Sequence, residues 1–368
     1  MRAREQTIEL LRWMVEQYSP SHHEAAFSRA LAERLERRGW RARTDEVGNV
    51  IASMGEGDTC IALLGHIDTV PGEIPVRIED QRLFGRGAVD AKGAISAFVE
   101  AVELLEERER EGKKFLLLGC VEEEVAITRG AFHVRDLYKP DFVINGEPSG
   151  AHAVTVGYKG LLRLELEHRA SRRHTASRDY RAPAEHVIEA WNALRRHSDE
   201  WNRERSLFEQ NLPSLTTFHT GTSEAEEWAT ASVNVRTGPS TDCEGLLSLL
   251  AGSPAVGVKT ISRKVAVSTN GNDELTRAFK KAIRDRGARP TLRMKTGTSD
   301  WNTVAGAWQV PIVAYGPGDS ALDHTPHEHI ELPEYEEGVA VLAHVLAMLP
   351  TRPRGAAADE SPTTRSTP

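Results

Sequence analysis

The sequence predicts an α/β fold with a mostly parallel sheet, interrupted by an inserted α+β unit. Short apolar runs alternate along the chain with segments whose apolar residues repeat at helical spacing, which is typical of a parallel sheet covered by helices. Between residues 157 and 264 the pattern changes, and apolar and polar residues alternate as in strands with one exposed face. These two observations predict a catalytic domain in two segments around a second domain.

The first catalytic segment is predicted at residues 1–156. It begins with a helix in which Ile8, Leu11 and Val15 share a face. Four short apolar runs then predict buried strands: NVIASM, IALLG, FLLLGCV and DFVIN. The segment AISAFVEAVELLEE predicts a helix with an apolar face made of Ile95, Phe98, Val99, Val102 and Leu105.

The inserted domain is predicted at residues 157–264. The segments LLRLELEH and EWATASVNVRT alternate as half-exposed strands do. Between them, EHVIEAWNALRRH predicts a helix whose inner face consists of Val187, Ile188, Trp191 and Leu194. Residues 265–350 restore the helix and buried-strand pattern of the first segment with ELTRAFKKAIRDRG and VPIVAYGPG, and residues 351–368, rich in Pro, Ser, Thr and Ala, are expected to be disordered.

Composition excludes some classes of protein. The chain has 368 residues and a net charge of −8, which argues mildly against a nucleic-acid partner. No apolar run approaches the roughly 18 residues of a membrane span, and no signal peptide is evident. The three cysteines show no C-x-x-C spacing, so neither disulfides nor thiolate zinc sites are suggested. We therefore expect a cytoplasmic protein that binds neither nucleic acid nor membrane.

Five motifs place histidines and carboxylates after predicted strands or in loops: GHIDTVPG, LFGRGAVDAKG, GCVEEEVAITRGA, INGEPSG and ALDHTPHEHI. On an extended strand His66 and Asp68 point the same way, so a carboxylate can hold one imidazole nitrogen while the other faces a metal. Each motif alone has a plain explanation, such as a helix cap at Asp90, a solvated turn at 122–124 or a loop residue at Glu147. Together they suit two divalent ions bridged by one carboxylate.

In order and local context, the five motifs resemble those of the zinc-dependent family that includes carboxypeptidase G, acetylornithine deacetylase and succinyl-diaminopimelate desuccinylase. The resemblance covers about residues 8–349. It implies a homodimeric amidohydrolase whose inserted α+β domain serves as a dimerisation or lid domain. It also implies two Zn²⁺ ions, or Co²⁺ in their place, with Asp90 bridging them. The implied ligands are His66, Asp90 and Glu147 for one ion and Asp90, Glu124 and His324 for the other. Asp68 would orient His66.

The triple glutamate leaves the general base open to two registers. The family has a base followed directly by a ligand, and aligning the strand FLLLGCV with it makes Glu123 the base and Glu124 the ligand. A shift by one residue is the alternative. His174 resembles a histidine that, in dimeric relatives, stabilises the oxyanion in the neighbouring subunit. Its plain explanation is a surface histidine in a basic loop.

Two further segments resemble the substrate-binding parts of the family. In SVNVRTGP, Arg236 could bind a carboxylate with two hydrogen bonds, or it could be an ordinary surface residue of a strand. The segment MKTGTSDWN resembles the glycine-rich substrate loop. The implied substrate contacts are Asn234, Arg236, Lys295, Thr296, Gly297 and Thr298.

The substrate loop also discriminates between branches of the family. Trp301 and Asn302 stand where desuccinylases have Gly-Arg, which disfavours that activity. The segments EIPVRIEDQRLFGRGAVDAKGAISAF and KTGTSDWNTV resemble instead the branch that releases lysine or ornithine from the terminal glutamate of a small acidic amino-group carrier protein. The alternative is acetylornithine deacetylase or a related N-acyl-amino acid hydrolase, including an aminoacylase or dipeptidase. A catalytically silent metal-binding or interaction protein is disfavoured, because no ligand and no base is missing.

A basic cluster, defined as residues 259–295, stands out in this acidic chain. It holds eleven basic residues against three acidic ones and leads into the substrate loop. A charged helix face is usually only solvated, but an acidic carrier would need such a surface to approach a negatively charged enzyme. The hypothesis is that the carrier docks on Lys280, Lys281, Arg284 and Arg286, with Lys295 nearer its terminal glutamate.

Overall fold

The computed structural model describes residues 4–253 and 255–352. The predicted disordered tail lies outside the described residues from 353 onward. The helices are α1 (Arg4–Glu16), α2 (Ala25–Arg37), α3 (Lys92–Leu104), α4 (Glu107–Arg110), α5 (Arg129–Leu137), α6 (Pro183–Trp201), α7 (Cys243–Ala251), α8 (Glu274–Asp285), α9 (Asp300–Val304) and α10 (Leu332–Met348). Among them, none combines the length and apolar character needed to cross a membrane.

The strands of the described residues form three sheets. They are β1 (Arg41–Thr44), β2 (Val50–Met54), β3 (Thr59–His66), β4 (Arg77–Glu79), β5 (Arg82–Phe84), β6 (Lys113–Cys120), β7 (Phe142–Asn145), β8 (Ala153–Tyr158), β9 (Gly160–Ser171), β10 (Leu212–Thr222), β11 (Glu226–Thr237), β12 (Gly257–Lys264), β13 (Val267–Ser268), β14 (Thr291–Lys295), β15 (Ile312–Ala314) and β16 (His329–Glu331).

The nine-stranded central sheet has the order β1-β2-β6-β3-β7-β15-β8-β13, with β14 paired to β8. Its four middle strands, β6, β3, β7 and β15, are parallel, and β14 runs parallel to β8. The antiparallel pairings lie towards the two edges. The predicted α/β class with a mostly parallel sheet is therefore confirmed.

Helices cover both faces of this sheet, which explains why its middle strands β3, β6 and β7 are largely apolar. On β3, Ile61 and Leu63 pack into one cluster that also contains residues of α1, α3, α8 and α10. Ala62 and Leu64 pack into a second cluster with residues of α5 and α9. Because successive residues on a strand face opposite sides, the middle of a strand between two helical layers is apolar on both faces.

The inserted segment forms a separate antiparallel sheet of order β10-β11-β9-β12, against which α6 packs. Its apolar face has a cluster of its own, to which α6 contributes Val187, Ala190 and Leu194. The prediction that Ile188 lies on the inner face of α6 was wrong, because its side chain is 44% exposed. The buried stripe follows positions 183, 187, 190, 194 and 198, and Ile188 is turned about 100° away from it.

The chain passes between the two sheets twice, from β8 to β9 and from β12 to β13. One side chain forms hydrogen bonds with both crossings. Nδ2 of Asn302 donates to the carbonyl oxygen of Lys159 at the first crossing, at 3.0 Å, and to that of Val265 at the second, at 2.7 Å. Its Oδ1 accepts from the backbone N–H of Ser299 at 2.8 Å. A single amide therefore connects the predicted substrate loop to both crossings.

Candidate metal centre

The polar motifs meet at the carboxyl-terminal edge of the parallel strands, where sites of α/β folds commonly form. Strand β3 ends at His66, and β6 and β7 end just before the glutamates at 122–124 and Glu147. Asp90 lies two residues before α3 begins, and His324 follows a short 3₁₀ helix, Ser320–Leu322. The topology thus brings together residues that are far apart in the sequence.

Asp90 lies between two imidazole rings. Its Oδ1 is 3.1 Å from Nε2 of His66, and its Oδ2 is 3.1 Å from Nε2 of His324. The same His324 nitrogen lies 2.9 Å from Oε1 of Glu124. Ligand atoms of His66, Asp90 and Glu124 all fall within 4.8 Å of one another. A carboxylate with one histidine at each oxygen has the arrangement expected of a residue that bridges two ions.

Asp68 organises the neighbouring backbone. Nδ1 of His66 lies 3.0 Å from the backbone oxygen of Asp68 and 3.5 Å from its Oδ1. The Asp68 carboxylate also accepts from the N–H groups of Glu123, at 3.0 Å, and Glu124, at 3.1 Å, and from the Ser21 hydroxyl at 2.7 Å. One buried carboxylate therefore holds both His66 and the loop that carries the glutamates.

The charges of this cluster fit a metal site. Because Nδ1 of His66 faces only acceptors, it carries a proton, and a neutral ring would turn the lone pair of Nε2 towards Asp90. A cation is needed between those two groups, either a proton or a metal ion. Hydrogen bonds to Asp90 and Glu124 raise the pKa of His324 to about 10. Burial, together with the charge of Asp90, raises the pKa of Glu147 to about 8.

Imidazole and carboxylate groups are the ligands that Zn²⁺ and other first-row divalent ions accept. Bound ions would neutralise the carboxylates of Asp90, Glu124 and Glu147, so the residues fit a metal. Glu147 is buried and lines the same cavity as Asp90 and Glu124, whereas the compact group of ligand atoms comprises His66, Asp90 and Glu124.

The three consecutive glutamates point to three different environments. Glu122 has a positive φ of 60° and forms an ion pair with Arg129 at 2.8 Å. Glu123 is turned inward, with Oε1 4.0 Å from Nζ of Lys264. Oε1 of Glu124 lies 2.9 Å from Nε2 of His324. This geometry agrees with the register in which Glu123 is the base and Glu124 the ligand, although the chemical roles stay a prediction.

A cavity of about 690 Å³ opens beside the cluster. Its walls include Asp90, Glu123, Glu124, Glu147 and His324, and five cationic side chains also line it: Arg163, Arg236, Lys264, Arg293 and Lys295. The cationic residues come from β9, β11, β12 and β14. The cavity therefore combines the candidate metal ligands with a strongly basic surface.

Most of the predicted substrate contacts line this cavity, namely Arg236, Lys295, Thr296, Gly297 and Thr298. Nη1 of Arg236, on the inserted sheet, donates to Oγ1 of Thr298 in the predicted substrate loop at 3.2 Å. Asn234 is not among the lining residues and accepts instead from Nε of Arg163, at 3.2 Å. His174 is exposed in a loop after β9 and does not line the cavity of its own chain.

Sequence reasoning missed a buried ion pair that supports the cluster. Nη1 of Arg86 donates to Oε2 of Glu328 at 2.8 Å and to the backbone oxygen of Thr325 at 3.1 Å. Oε1 of Glu328 accepts from the N–H groups of Val89, at 3.0 Å, and Asp90, at 3.1 Å. The pair joins the Asp90 segment to the loop that carries His324. Its only signal in the sequence was that both partners lie inside the motifs LFGRGAVDAKG and ALDHTPHEHI.

The cavity also contains cationic residues that no motif predicted, Arg163, Lys264 and Arg293. Arg163 and Lys264 lie on strands in which polar and apolar residues alternate, and such strands carry basic residues on their polar face without any functional reason. Lys264 and Arg293 belong to the basic cluster at 259–295, so that cluster was a partial signal.

Known proteins with similar sequences cover most of this chain. The chain is 37% identical over 349 residues to the LysW-lysine hydrolase of Deinococcus radiodurans, and the match covers 93% of this chain and 96% of the relative. It is 30% identical over 285 residues to the LysW-lysine/LysW-ornithine hydrolase of Sulfurisphaera tokodaii, covering 76% and 78%.

Solved structures show the same architecture at low sequence identity. The M20 family metallo-carboxypeptidase Sso-CP2 of Sulfolobus solfataricus superposes with a TM-score of 0.77 at 18% identity, covering 93% of this chain and 98% of that one. The YXEP protein of Bacillus subtilis, described as a dinuclear metal-binding peptidase, gives 0.67 at 15% identity, covering 94% and 97%. The family model for peptidases M20/M25/M40 matches residues 62–348. The chain therefore belongs to peptidase family M20/M25/M40.

Proposed function

We propose that this protein releases lysine or ornithine from the terminal glutamate of a small acidic carrier protein, using two divalent metal ions. Its membership of the M20 family makes it a metallohydrolase of amide bonds. The names of its relatives in D. radiodurans and S. tokodaii support the substrate. The observation that carries the proposal is the cavity in which the histidine and carboxylate cluster lies beside five cationic side chains.

The chemistry of the proposed substrate suits those cations. When the α-amino group of lysine is joined to the side-chain carboxyl group of a terminal glutamate, both residues keep an α-carboxylate, so the scissile amide has an anion on each side. Arginine binds carboxylates through two parallel hydrogen bonds, and a lysine ammonium binds them as a point charge. Arg236 and Arg163 are the candidates for the first mode, and Lys264 and Lys295 for the second.

The proposed ligand sets are His66, Asp90 and Glu147 for one ion and Asp90, Glu124 and His324 for the other. We propose zinc as the metal, with cobalt as a substitute. Two such ions, when bound, polarise a carbonyl group and lower the pKa of a water molecule towards 7.

The protein supplies the proton transfers and the positioning. Glu123 is proposed to take the proton of the attacking water as its oxygen bonds to the carbonyl carbon. It returns that proton to the departing α-amino nitrogen as the C–N bond breaks. Burial raises the pKa of Glu123 well above its ordinary value, which makes it a stronger base than an exposed carboxylate. In a homodimer, His174 of the second subunit would stabilise the oxyanion.

The basic cluster at 259–295 divides into two parts in the structure. Lys264, Arg293 and Lys295 line the cavity, whereas Lys280, Lys281, Arg284 and Arg286 lie on α8 or directly after it. Lys281 pairs with Asp285, and Arg286 pairs with Glu337. We propose that the cavity part binds the terminal glutamate and that the helical part steers the body of the acidic carrier.

The test is to offer the zinc-loaded enzyme a carrier protein with lysine on its terminal glutamate, beside acetylornithine at the same concentration. Released amino acid is measured by mass spectrometry, and Glu123→Gln serves as the inactive control. We expect release from the carrier conjugate and little from acetylornithine. The reverse preference would make the enzyme a deacetylase, and no release from either would refute an amidohydrolase of N-acylated amino acids.

A further inference from the structure

One acidic residue of the cavity has no part in the proposed mechanism. Five carboxylates line the cavity: Asp90, Glu123, Glu124, Glu147 and Asp323. The first four are the proposed ligands and base. Asp323 directly follows the 3₁₀ helix Ser320–Leu322 and lies outside the compact group of candidate ligand atoms.

One oxygen of the Asp323 carboxylate lacks a partner in the part of the protein that the structure describes. Its Oδ1 is buried and has no hydrogen-bond partner among the residues that the structure describes. No ion pair involving Asp323 occurs within the described residues either. The nearby Lys295 uses its ammonium group to donate to the backbone oxygen of Pro148. A buried carboxylate oxygen without a partner is costly, so a donor carried by the substrate is the simplest way to satisfy it.

The surroundings of Asp323 match a lysine or ornithine side chain. The hydroxyl oxygen of Tyr158 is also buried without a hydrogen-bond partner in the described part of the chain, and Tyr158 lines the same cavity. An ammonium group has three N–H donors and no acceptor, so it can serve both a carboxylate and a phenol oxygen. Leu161 and Met294, which also line the cavity, offer apolar surface to the methylene groups of such a side chain.

We propose that Asp323 is the residue that selects an amino acid with a terminal ammonium group, by binding that ammonium as the amide is cleaved. This inference rests on the proposed function, since it assigns the side chain of the released amino acid. The other charges of the cavity favour this role. Five cationic residues in the cavity repel a second positive charge, and the remaining four carboxylates are the proposed metal ligands and base.

The test compares carrier proteins that hold lysine, ornithine or norleucine on the terminal glutamate. Norleucine has the carbon chain of lysine without the ammonium group, so the ratio of kcat/KM for lysine to that for norleucine isolates the contribution of the charge. We expect the native enzyme to favour lysine about 10- to 100-fold, as a buried charge-assisted hydrogen bond would. Asp323→Asn should bring this ratio close to one. Asp319→Asn is the matched control, because Asp319 caps the 3₁₀ helix of the same loop without lining the cavity.

A purely structural role for Asp323 would slow both substrates equally and leave the ratio unchanged, which would overturn the proposal. Equal rates on lysine and norleucine in the native enzyme would overturn it as well. If the native enzyme releases nothing from any carrier conjugate, the proposed function itself fails, which is a distinct result. Should Asp323→Asn not fold, product inhibition of the native enzyme decides the question, because free lysine must then inhibit at a lower concentration than free norleucine.

Discussion

The buried ion pair between Arg86 and Glu328 offers a quantitative test of the site architecture. The side chains of Arg86 and Glu328 are 7% and 1% exposed, and Glu328 also accepts from two backbone N–H groups. Glu328→Gln preserves the shape but leaves the guanidinium charge buried without its counter-ion. Breaking one partner of such a pair costs about 3 to 5 kcal/mol in the free energy of unfolding. For a chain of 368 residues, that loss corresponds to a fall in Tm of about 4 to 6 °C.

The assay is thermal unfolding of the metal-free enzyme, followed by circular dichroism at constant protein concentration. The matched control is Glu56→Gln, because Glu56 pairs with Arg41 at 2.6 Å while both side chains are largely exposed. Exposed ion pairs contribute about 0.2 to 1 kcal/mol to the free energy of unfolding, so Glu56→Gln should hardly change Tm. If Glu328→Gln lowers Tm no more than Glu56→Gln does, the pair does not hold the Asp90 segment in place.

Three further substitutions at the metal centre and one double charge reversal on α8 test the proposed roles. Glu123→Gln should keep nearly full zinc content while turnover falls about 10²- to 10⁴-fold, because a proton carrier is lost and not a ligand. Glu124→Gln should lose one zinc ion per chain, and the opposite pattern by elemental analysis would shift the glutamate register by one residue. Asp90→Ala should lose both ions, and full zinc occupancy would rule out the bridging role. Reversing Lys281 and Arg284 to Glu should raise KM for the carrier conjugate and leave a small N-acyl-amino acid unaffected. Equal effects on both substrates would reduce the helical part of the basic cluster to solvated surface.

The buried strands could be predicted because their environment leaves a strong pattern. IALLG, FLLLGCV and DFVIN form the adjacent parallel strands β3, β6 and β7, since the middle of a strand between two helical layers is apolar on both faces. The helix predicted from EHVIEAWNALRRH is confirmed and spans 183–201, but Ile188 was placed on the wrong face. A stripe assigned from hydrophobicity alone includes any apolar neighbour, and only packing shows which one faces the sheet.

Parts of the site that depend on long-range contacts could not be predicted. Arg86 and Glu328 are 242 residues apart, and no local pattern marks a buried charge that finds its partner at such a distance. The short strands β4, β5 and β16 have only three residues each, too few for a periodic signal. The directions of the side chains at 122–124 follow a backbone with a positive φ at Glu122, a conformation that residue type alone does not specify.

The two hydrogen bonds donated by Asn302 have a consequence for how the protein could be shortened. Two carbonyl oxygens, one at each crossing, lie within hydrogen-bonding distance of the same nitrogen atom, so the inserted segment leaves and re-enters the central sheet at neighbouring points. Just beside them, Tyr158 and Val267 are paired on antiparallel strands. A two-residue hairpin turn is long enough to join such strands. Excising residues 159–266 and closing the gap with Asn-Gly would therefore yield a minimal α/β domain that keeps every candidate metal ligand on one continuous scaffold.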